Sequence, residues 1–316
     1  MSDKKYIRHN PKKEKGIKFP YLVLAFLTLG FLAMIISVFV SMASEGPVFG
    51  ECVAVVEING EITTQSSPTS MFAEGTYGSY ELSKRINALN GRDEVSSVLL
   101  VVNSPGGSVV AADEIYRSVD SVEKPVVAYF RETAASGGYY IAAPADYIVS
   151  EPNTLTGSLG TVMYLAEFSE LAKELGIKDV VIKSGEMKDI GNPMRNMTEE
   201  EEALLQEVVE EAFQHMKSNI EEQRGDSLVY PEFNEVLDGR VLSGRMALEA
   251  GLVDELGSRD DALMKAAGLG GTEAASPSDV EVCMIKTKPE AAGLFDMSSF
   301  ISSIFSEEQT PSLNYR

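Results

Sequence analysis

Apolar runs and amphipathic segments alternate along the chain from residue 52 onward. Short, continuous apolar runs bounded by turn residues predict buried strands at 52–58, 95–102 and 125–130. Apolar residues at helical spacing between these runs predict helices at 80–89 and 109–122. Strands that alternate with helices in this way are typical of βαβ units, so we expect an α/β fold with a largely parallel sheet.

The same alternation continues toward the C-terminus. Thr198 and Glu201 form a capping box at the start of a long predicted helix, whose apolar residues from 204 to 220 share one side. The stretch 62–77 is rich in Ser, Thr and Gly and is expected to be a mobile loop. The other predicted elements are strands at 147–149, 179–183 and 280–285 and helices at 167–175 and 260–267.

Residues 19–42 contain no charged side chain, and a helix of that length spans the hydrocarbon core of a bilayer. Seven lysine and arginine residues precede this stretch against two acidic ones, whereas the whole chain has a net charge of −21. The positive-inside rule therefore predicts one membrane-spanning anchor with a cytosolic N-terminus and an extracytoplasmic C-terminal body. A signal peptide cleaved near 41–43 is the alternative, but its apolar region is usually only about 7–15 residues long.

Four parts follow from these patterns: a basic cytosolic segment 1–18, the anchor 19–42, a folded domain 52–270, and a C-terminal strand with a flexible tail 271–316. The acidic excess argues against a nucleic-acid partner, because binding phosphate requires clustered Lys and Arg. Cys52 and Cys283 could pair in an oxidising compartment, but the sequence leaves their pairing open. Two cysteines so far apart do not favour a metal site.

Ser136 and Lys188 are the residues that best suit catalysis. Ser136 lies among small residues in Ala-Ala-Ser-Gly-Gly-Tyr-Tyr at 134–140. The chain has only two histidines, His9 and His215, and His215 is expected to be structural because no polar partner is evident for it. A Ser/Lys dyad is therefore favoured over a Ser/His/Asp triad. Lysine acts as a base only when its pKa falls well below ~10.4, so the carboxylate of Asp189 must point away from Lys188.

Acyl transfer also requires donors for the developing oxyanion, usually two backbone N–H groups. The sequence Asn-Ser-Pro-Gly-Gly-Ser at 103–108 follows a predicted buried strand and precedes a helix. Its glycines allow the backbone to approach a substrate closely. The N–H groups of Gly107 and Gly137 are the predicted pair, although a glycine turn that merely joins strand to helix would look the same.

Five motifs together resemble signal peptide peptidase A: those at 103–108 and 134–140, Thr-Gly-Ser-Leu-Gly at 156–160, Lys-Ser-Gly-x-x-Lys-Asp at 183–189, and the Gly-Arg-Val segment at 239. The resemblance covers about 52–270, which we expect to be the Ser/Lys peptidase domain. It implies a Clp/crotonase-type fold, Ser136 as nucleophile, Lys188 as general base, and Ser158 as the residue that orients the lysine. It also implies signal peptides and other membrane-derived peptides as substrates, at the cell membrane and without metal or cofactor.

The resemblance further implies a homo-oligomeric ring in which the serine of one protomer meets the lysine of the next. Other members of the superfamily fit less well: Clp proteases need a histidine about 25 residues after the serine, where this chain has Thr161, and crotonase-like acyl-CoA enzymes leave the Lys-Ser-Gly-x-x-Lys-Asp motif unexplained. The alternative from another functional class is a catalytically inert membrane scaffold or regulator of the same fold.

Overall fold

A computed structural model describes residues 27–33, 51–67 and 75–289. Eight strands belong to one sheet. They are β1 Cys52–Asn59, β2 Val95–Ser104, β3 Val126–Ala135, β4 Tyr147–Ser150, β5 Leu155–Gly157, β6 Val241–Ser243, β7 Glu255–Leu256 and β8 Val282–Ile285.

Eight labelled helices accompany these strands within 75–289. They are α1 Ser79–Asn87, α2 Val109–Asp120, α3 Gly137–Tyr140, α4 Ser169–Glu174, α5 Glu199–Arg224, α6 Glu232–Glu235, α7 Gly244–Glu249 and α8 Arg259–Leu269. Short 3-10 turns lie at Ala88–Gly91, Glu186–Asp189 and Pro277–Asp279. The chain thus runs β1-α1-β2-α2-β3, and the predicted βαβ units are confirmed.

The sheet has the strand order β6-β5-β3-β2-β1-β8, and β4 pairs with both β3 and β7. Every pairing is parallel except that of β5 with β6. The prediction of a largely parallel sheet is therefore confirmed. In such a sheet the carboxyl ends of the strands lie at one edge, where ligands usually bind.

Helix α8 covers one face of this sheet. Alternate residues of β1, β2 and β3 point toward it because side chains of a strand alternate between faces. The buried cluster contains Val53, Val55, Leu99, Val101, Val127, Tyr129, Ala262, Ala266 and Ala267.

A disulfide joins Cys52 on β1 to Cys283 on β8, with a Cα–Cα distance of 5.8 Å. That distance lies in the usual range for a disulfide. The bridge settles the pairing that the sequence left open, and it ties the last strand to its neighbour in the sheet.

The strand predicted at 179–183 does not form. A strand needs a hydrogen-bonded neighbour, and no described strand pairs with this stretch. Its apolar side chains are exposed instead: Val180 is 79% and Ile182 96% exposed. The helix predicted at 167–175 does form, as α4.

Helix α5 begins at the predicted capping box, in which Thr198 accepts from the Glu201 backbone N–H and the Glu201 carboxylate accepts from the Thr198 N–H. Its apolar stripe is only partly covered. Met216 and Ile220 near the C-terminus are buried, whereas Leu204 and Val208 near the N-terminus are 43% and 47% exposed. The prediction of the helix is confirmed, but the N-terminal half of its apolar side is only partly covered, with Leu205 and Val209 half-buried.

The chain divides into two compact units, 1–49 and 50–316. Residues 27–33 within the first unit are helical, and the rest of the predicted anchor, at 19–26 and 34–42, lies outside the described residues. Across the described parts of the chain, no helix combines the length and the apolar character that a membrane crossing requires. The stretches 68–74 and 290–316, which include most of the predicted tail, also lie outside the described residues.

Candidate active site

Three of the motifs lie together where strands end. β2 ends at Ser104, directly before the glycine turn, β3 ends before Ser136, and β5 ends before Ser158. The strand register brings these ends side by side, because Ser104 pairs with Ala134 and Ala135 with Gly157. The parallel sheet therefore gathers the glycine turn and both serines at its carboxyl edge.

Ser136 lies in the sharp turn between β3 and α3. Its backbone has φ 53° and ψ −123°, a region that costs a residue with a side chain on the order of 1–3 kcal/mol. The N–H of Ser136 donates to the Gly157 carbonyl at 2.8 Å, which holds this conformation. A strained serine between a strand and a helix matches the nucleophile elbow of hydrolases.

Ser158 has a similarly unusual backbone, with φ 50°. Its N–H donates to the Arg240 carbonyl at 2.8 Å, just before β6. The two serines are thus the only non-glycine residues with positive φ among those that the structure describes. Both line one open groove of about 490 Å³.

The glycine turn approaches Ser136 too closely for side chains. A Cβ on Gly106 would lie 2.6 Å from the Gly137 nitrogen, and one on Gly107 would lie 2.1 Å from the Ile62 carbonyl oxygen. The amides of Gly107 and Gly137 donate to no acceptor within the described residues. Two neighbouring, unused N–H groups beside a serine are the arrangement that an oxyanion hole requires.

Ser136 also lines a smaller cavity of about 90 Å³. Its walls come from the glycine turn, from α2, α3 and α5, and from residues 160–162. Most of the lining is small or apolar: Gly107, Val109, Ala112, Gly137, Gly160, Val162, Ala212 and Met216. The space next to the serine therefore suits a small or apolar side chain.

His215 also lines this cavity, and it has a polar partner that the sequence did not reveal. Its Nε2 lies 3.0 Å from Asp113 Oδ1, and Tyr140 donates its hydroxyl to the same oxygen at 2.9 Å. Burial raises the pKa of Tyr140, so its phenol stays protonated and donates. This partner was not evident in the sequence, because Asp113 lies 102 positions away and no local spacing signals the contact.

Lys188 stands in the 3-10 turn Glu186–Asp189 and is exposed. The neighbouring Asp189 carboxylate binds Lys183 at 2.6 Å and Arg195 at 2.9 Å. The hydrogen bonds from Arg195, and then those from Lys183, hold the pKa of Asp189 well below its usual range. The Asp189 carboxylate is thus bound by two cations other than Lys188.

Ser136 and Lys188 do not meet in either of the two cavities described above. Lys188 is not among the described residues that line either space around Ser136. Its ammonium makes no hydrogen bond or salt bridge to a described residue. The structure therefore brings together Ser136, Ser158, Gly107 and Gly137, but it does not bring Lys188 to them.

Comparison with known proteins places the chain among peptidases. The model of peptidase family S49 matches residues 119–272, and the Clp protease model matches 76–157. MJ0651 of Methanocaldococcus jannaschii, a protease by name, is 40% identical over 218 residues, which is 68% of each chain. The chain belongs to peptidase family S49. Family membership supports a serine peptidase and a Clp-like α/β fold.

Other relatives of this S49 peptidase differ in length. A protein of Enterococcus faecium, named as a signal peptide peptidase SppA, is 34% identical over 66% of this chain and 60% of its own. Protease 4 of Haemophilus influenzae is 29% identical, and the match spans 68% of this chain but 34% of that protein. The match to the solved structure of a mutant of the 1510-N membrane-bound stomatin-specific protease covers 77% of this chain at 16% identity, with a TM-score of 0.42.

Proposed function

We propose that this S49 peptidase is a membrane-anchored endopeptidase that cleaves peptide bonds with a Ser136/Lys188 dyad. The observation that carries the proposal is the Ser136 turn, where a strained serine faces two glycine amides with no described acceptor. Ser136 attacks the scissile carbonyl, and the Gly107 and Gly137 N–H groups stabilise the oxyanion. Lys188 takes the serine proton, and Ser158 orients the lysine.

The lysine is supplied by a neighbouring protomer in a homo-oligomeric ring. The open groove exposes both Ser136 and Ser158, and no described residue that lines it is a lysine. Lys188 is exposed and unpaired within the described chain, so it is accessible to another copy. These two facts complement each other if one subunit's lysine enters the groove of the next.

An uncovered apolar surface supports association of this kind. Residues 162–182 and the start of α5 expose many large hydrophobic side chains, and exposed apolar surface beyond scattered single residues marks interaction sites. They include Val162, Met163, Tyr164, Leu165, Phe168, Leu171, Leu175, Ile177, Val180, Val181, Ile182, Leu204 and Val208. Lys188 follows this stretch directly, so burying the surface between subunits would also deliver the lysine.

The proposed location is the extracytoplasmic side of the cell membrane, with the predicted anchor at 19–42. The Cys52–Cys283 disulfide supports an oxidising compartment. The cationic segment before the anchor supports a cytosolic N-terminus and an extracytoplasmic body. Short apolar peptides, such as cleaved signal peptides, are the proposed substrates. The small, largely apolar cavity beside Ser136 suits their side chains.

A fluorophosphonate probe distinguishes this function from an inert scaffold of the same fold. The probe should label the wild-type chain at Ser136, because labelling requires an activated serine. An intact wild-type oligomer that hydrolyses peptides without labelling at Ser136 would exclude this nucleophile. A protein that neither hydrolyses peptides nor is labelled at Ser136 would support the inert scaffold.

Mixing two inactive variants tests the shared dyad. We expect Ser136→Ala and Lys188→Ala proteins to be silent alone and to recover activity after their subunits exchange. Recovery should reach about one quarter of wild type, because in a random one-to-one ring an intact serine faces an intact lysine at one interface in four. The measurement is peptide hydrolysis, with exchange verified by pull-down of differently tagged chains. Verified exchange without recovery would place both residues in one protomer.

His215 is the competing base, since it lines the same cavity as Ser136 and binds Asp113. A Ser/Lys mechanism makes no use of it. We therefore expect His215→Ala to lower kcat/KM by less than about 10-fold, the effect of losing one hydrogen bond worth about 1 kcal/mol. His9→Ala serves as the matched control. A loss as large as that of Ser136→Ala, in a folded variant, would assign the base to His215.

A further inference from the structure

The turn that carries Lys188 is closed by a lysine that lies three residues before it, Lys183. The Lys183 ammonium donates to the Glu186 carbonyl at 2.7 Å and to Asp189 Oδ1 at 2.6 Å. These two contacts span the 3-10 turn from its first residue to its last. The side chain of Lys183, five positions before Lys188, therefore holds the backbone on which Lys188 stands.

Arg195 binds the same carboxylate from the other side. Its Nε donates to Asp189 Oδ2 at 3.0 Å and its Nη2 to Oδ1 at 2.9 Å, a two-pronged geometry that only arginine offers. Nη2 also donates to the Asp189 carbonyl at 3.2 Å. Asp189 is left only 10% exposed by these partners, so its carboxylate has little freedom to turn.

Arg195 also connects this turn to the beginning of α5. Its Nη1 donates to Glu201 Oε2 at 2.7 Å, and its Nη2 bonds to Glu201 Oε1. Glu201 is 3% exposed and belongs to the capping box of the helix. Arg195 therefore fixes the Lys188 turn to an anchored helix terminus.

The cluster comprises Lys183, Asp189, Arg195 and Glu201. Its two positive and two negative charges balance. Removing the arginine charge would leave one carboxylate in excess beside Lys188, and a released Asp189 could reach the ammonium of its neighbour. A nearby carboxylate favours the charged form of a lysine, whereas a base must lose its proton. The charged groups of the region are Asp179, Lys183, Glu186, Asp189, Arg195 and Glu201.

We propose that Arg195 is a positioning residue that holds the Asp189 carboxylate away from Lys188 and fixes the turn on which Lys188 stands. The role rests on the proposed function of Lys188 as the general base. Lys183 and Glu201 are its partners, since each binds one end of the Asp189–Arg195 pair. Arg195 itself contacts no reacting atom.

The test is the pH profile of kcat/KM for the full chain. In Arg195→Gln, the acid limb should move to higher pH by about one unit, so that activity falls about 10-fold at neutral pH and returns at high pH. In Asp189→Asn, the limb should stay or move to lower pH, because Arg195 and Lys183 remain. Combining both changes should restore the wild-type position. Arg259→Gln, which removes an arginine from a surface pair with Glu57, is the matched control and should not move the limb.

A folded Arg195→Gln protein whose activity falls equally at every pH would overturn the proposal, since that is the sign of a merely structural role. If Arg195→Gln does not fold, Asp189→Asn alone decides, because a limb moved to higher pH contradicts the role given to the carboxylate. The role of Lys188 as base is tested separately. An active Lys188→Arg enzyme would reject Lys188 as the base. If Lys188→Arg is inactive but the acid limb of Arg195→Gln does not move, only the positioning role of Arg195 is rejected.

Discussion

Ser136→Ala should lower kcat for peptide hydrolysis by at least about 10⁴-fold, the scale of removing a serine nucleophile. Its melting temperature should barely change. The Ser136 hydroxyl makes no hydrogen bond to a described residue, and alanine carries the same backbone strain at φ 53°. The pair of measurements is steady-state hydrolysis of a peptide substrate and thermal unfolding of the same preparation.

Ser278→Ala is the matched control, since it removes a serine hydroxyl from an exposed turn after α8. It should leave both measurements unchanged. Turnover that persists in pure Ser136→Ala protein would move the nucleophile to another residue. Ser104 and Ser108, which flank the glycine turn at the same edge of the sheet, would then be the next to test.

Lys188→Arg should be as inactive as Ser136→Ala. Arginine stays protonated at any working pH, so it keeps the positive charge but cannot take the serine proton. In the wild-type enzyme, activity should rise with pH through an inflection well below the ~10.4 of a free lysine. The measurement is kcat/KM across the pH range for the wild type and the variant.

Lys173→Arg provides the control, because Lys173 is 79% exposed on α4 and makes only a 4.0 Å contact with Glu170. It should keep wild-type activity. Appreciable hydrolysis by Lys188→Arg would exclude Lys188 as the base. A wild-type profile still climbing steeply at pH 10 would exclude a neutral lysine as the active form.

The sequence was informative where function depends on local chain geometry. The glycines at 106 and 107 predict close backbone approach, and the structure leaves no room for side chains there. The alternation of apolar runs with amphipathic segments predicted the parallel sheet for the same reason, since strand and helix periods are local properties. The capping box at Thr198 is equally local and was found correctly.

Contacts between distant segments could not be predicted in this way. The partnership of His215 with Asp113 joins positions 102 residues apart, and a periodic pattern on one helix says nothing about a carboxylate on another. β5 and β6 are three residues each and gain their form from pairing with one another, so neither has a run long enough to detect. The reverse error occurred at 179–183, where an apolar run suggested a strand but no described partner strand exists.

The backbone conformation of Ser136 has a consequence for relatives of this fold that lack activity. Glycine populates positive φ without the penalty that serine incurs, so a chain with no catalytic task would gain stability by replacing serine with glycine at 136, and again at 158. In an inactive relative that is selected only for stability, both serines should therefore be replaced over time. This chain has serine at both positions, so replacing either serine with glycine should raise the free energy of unfolding.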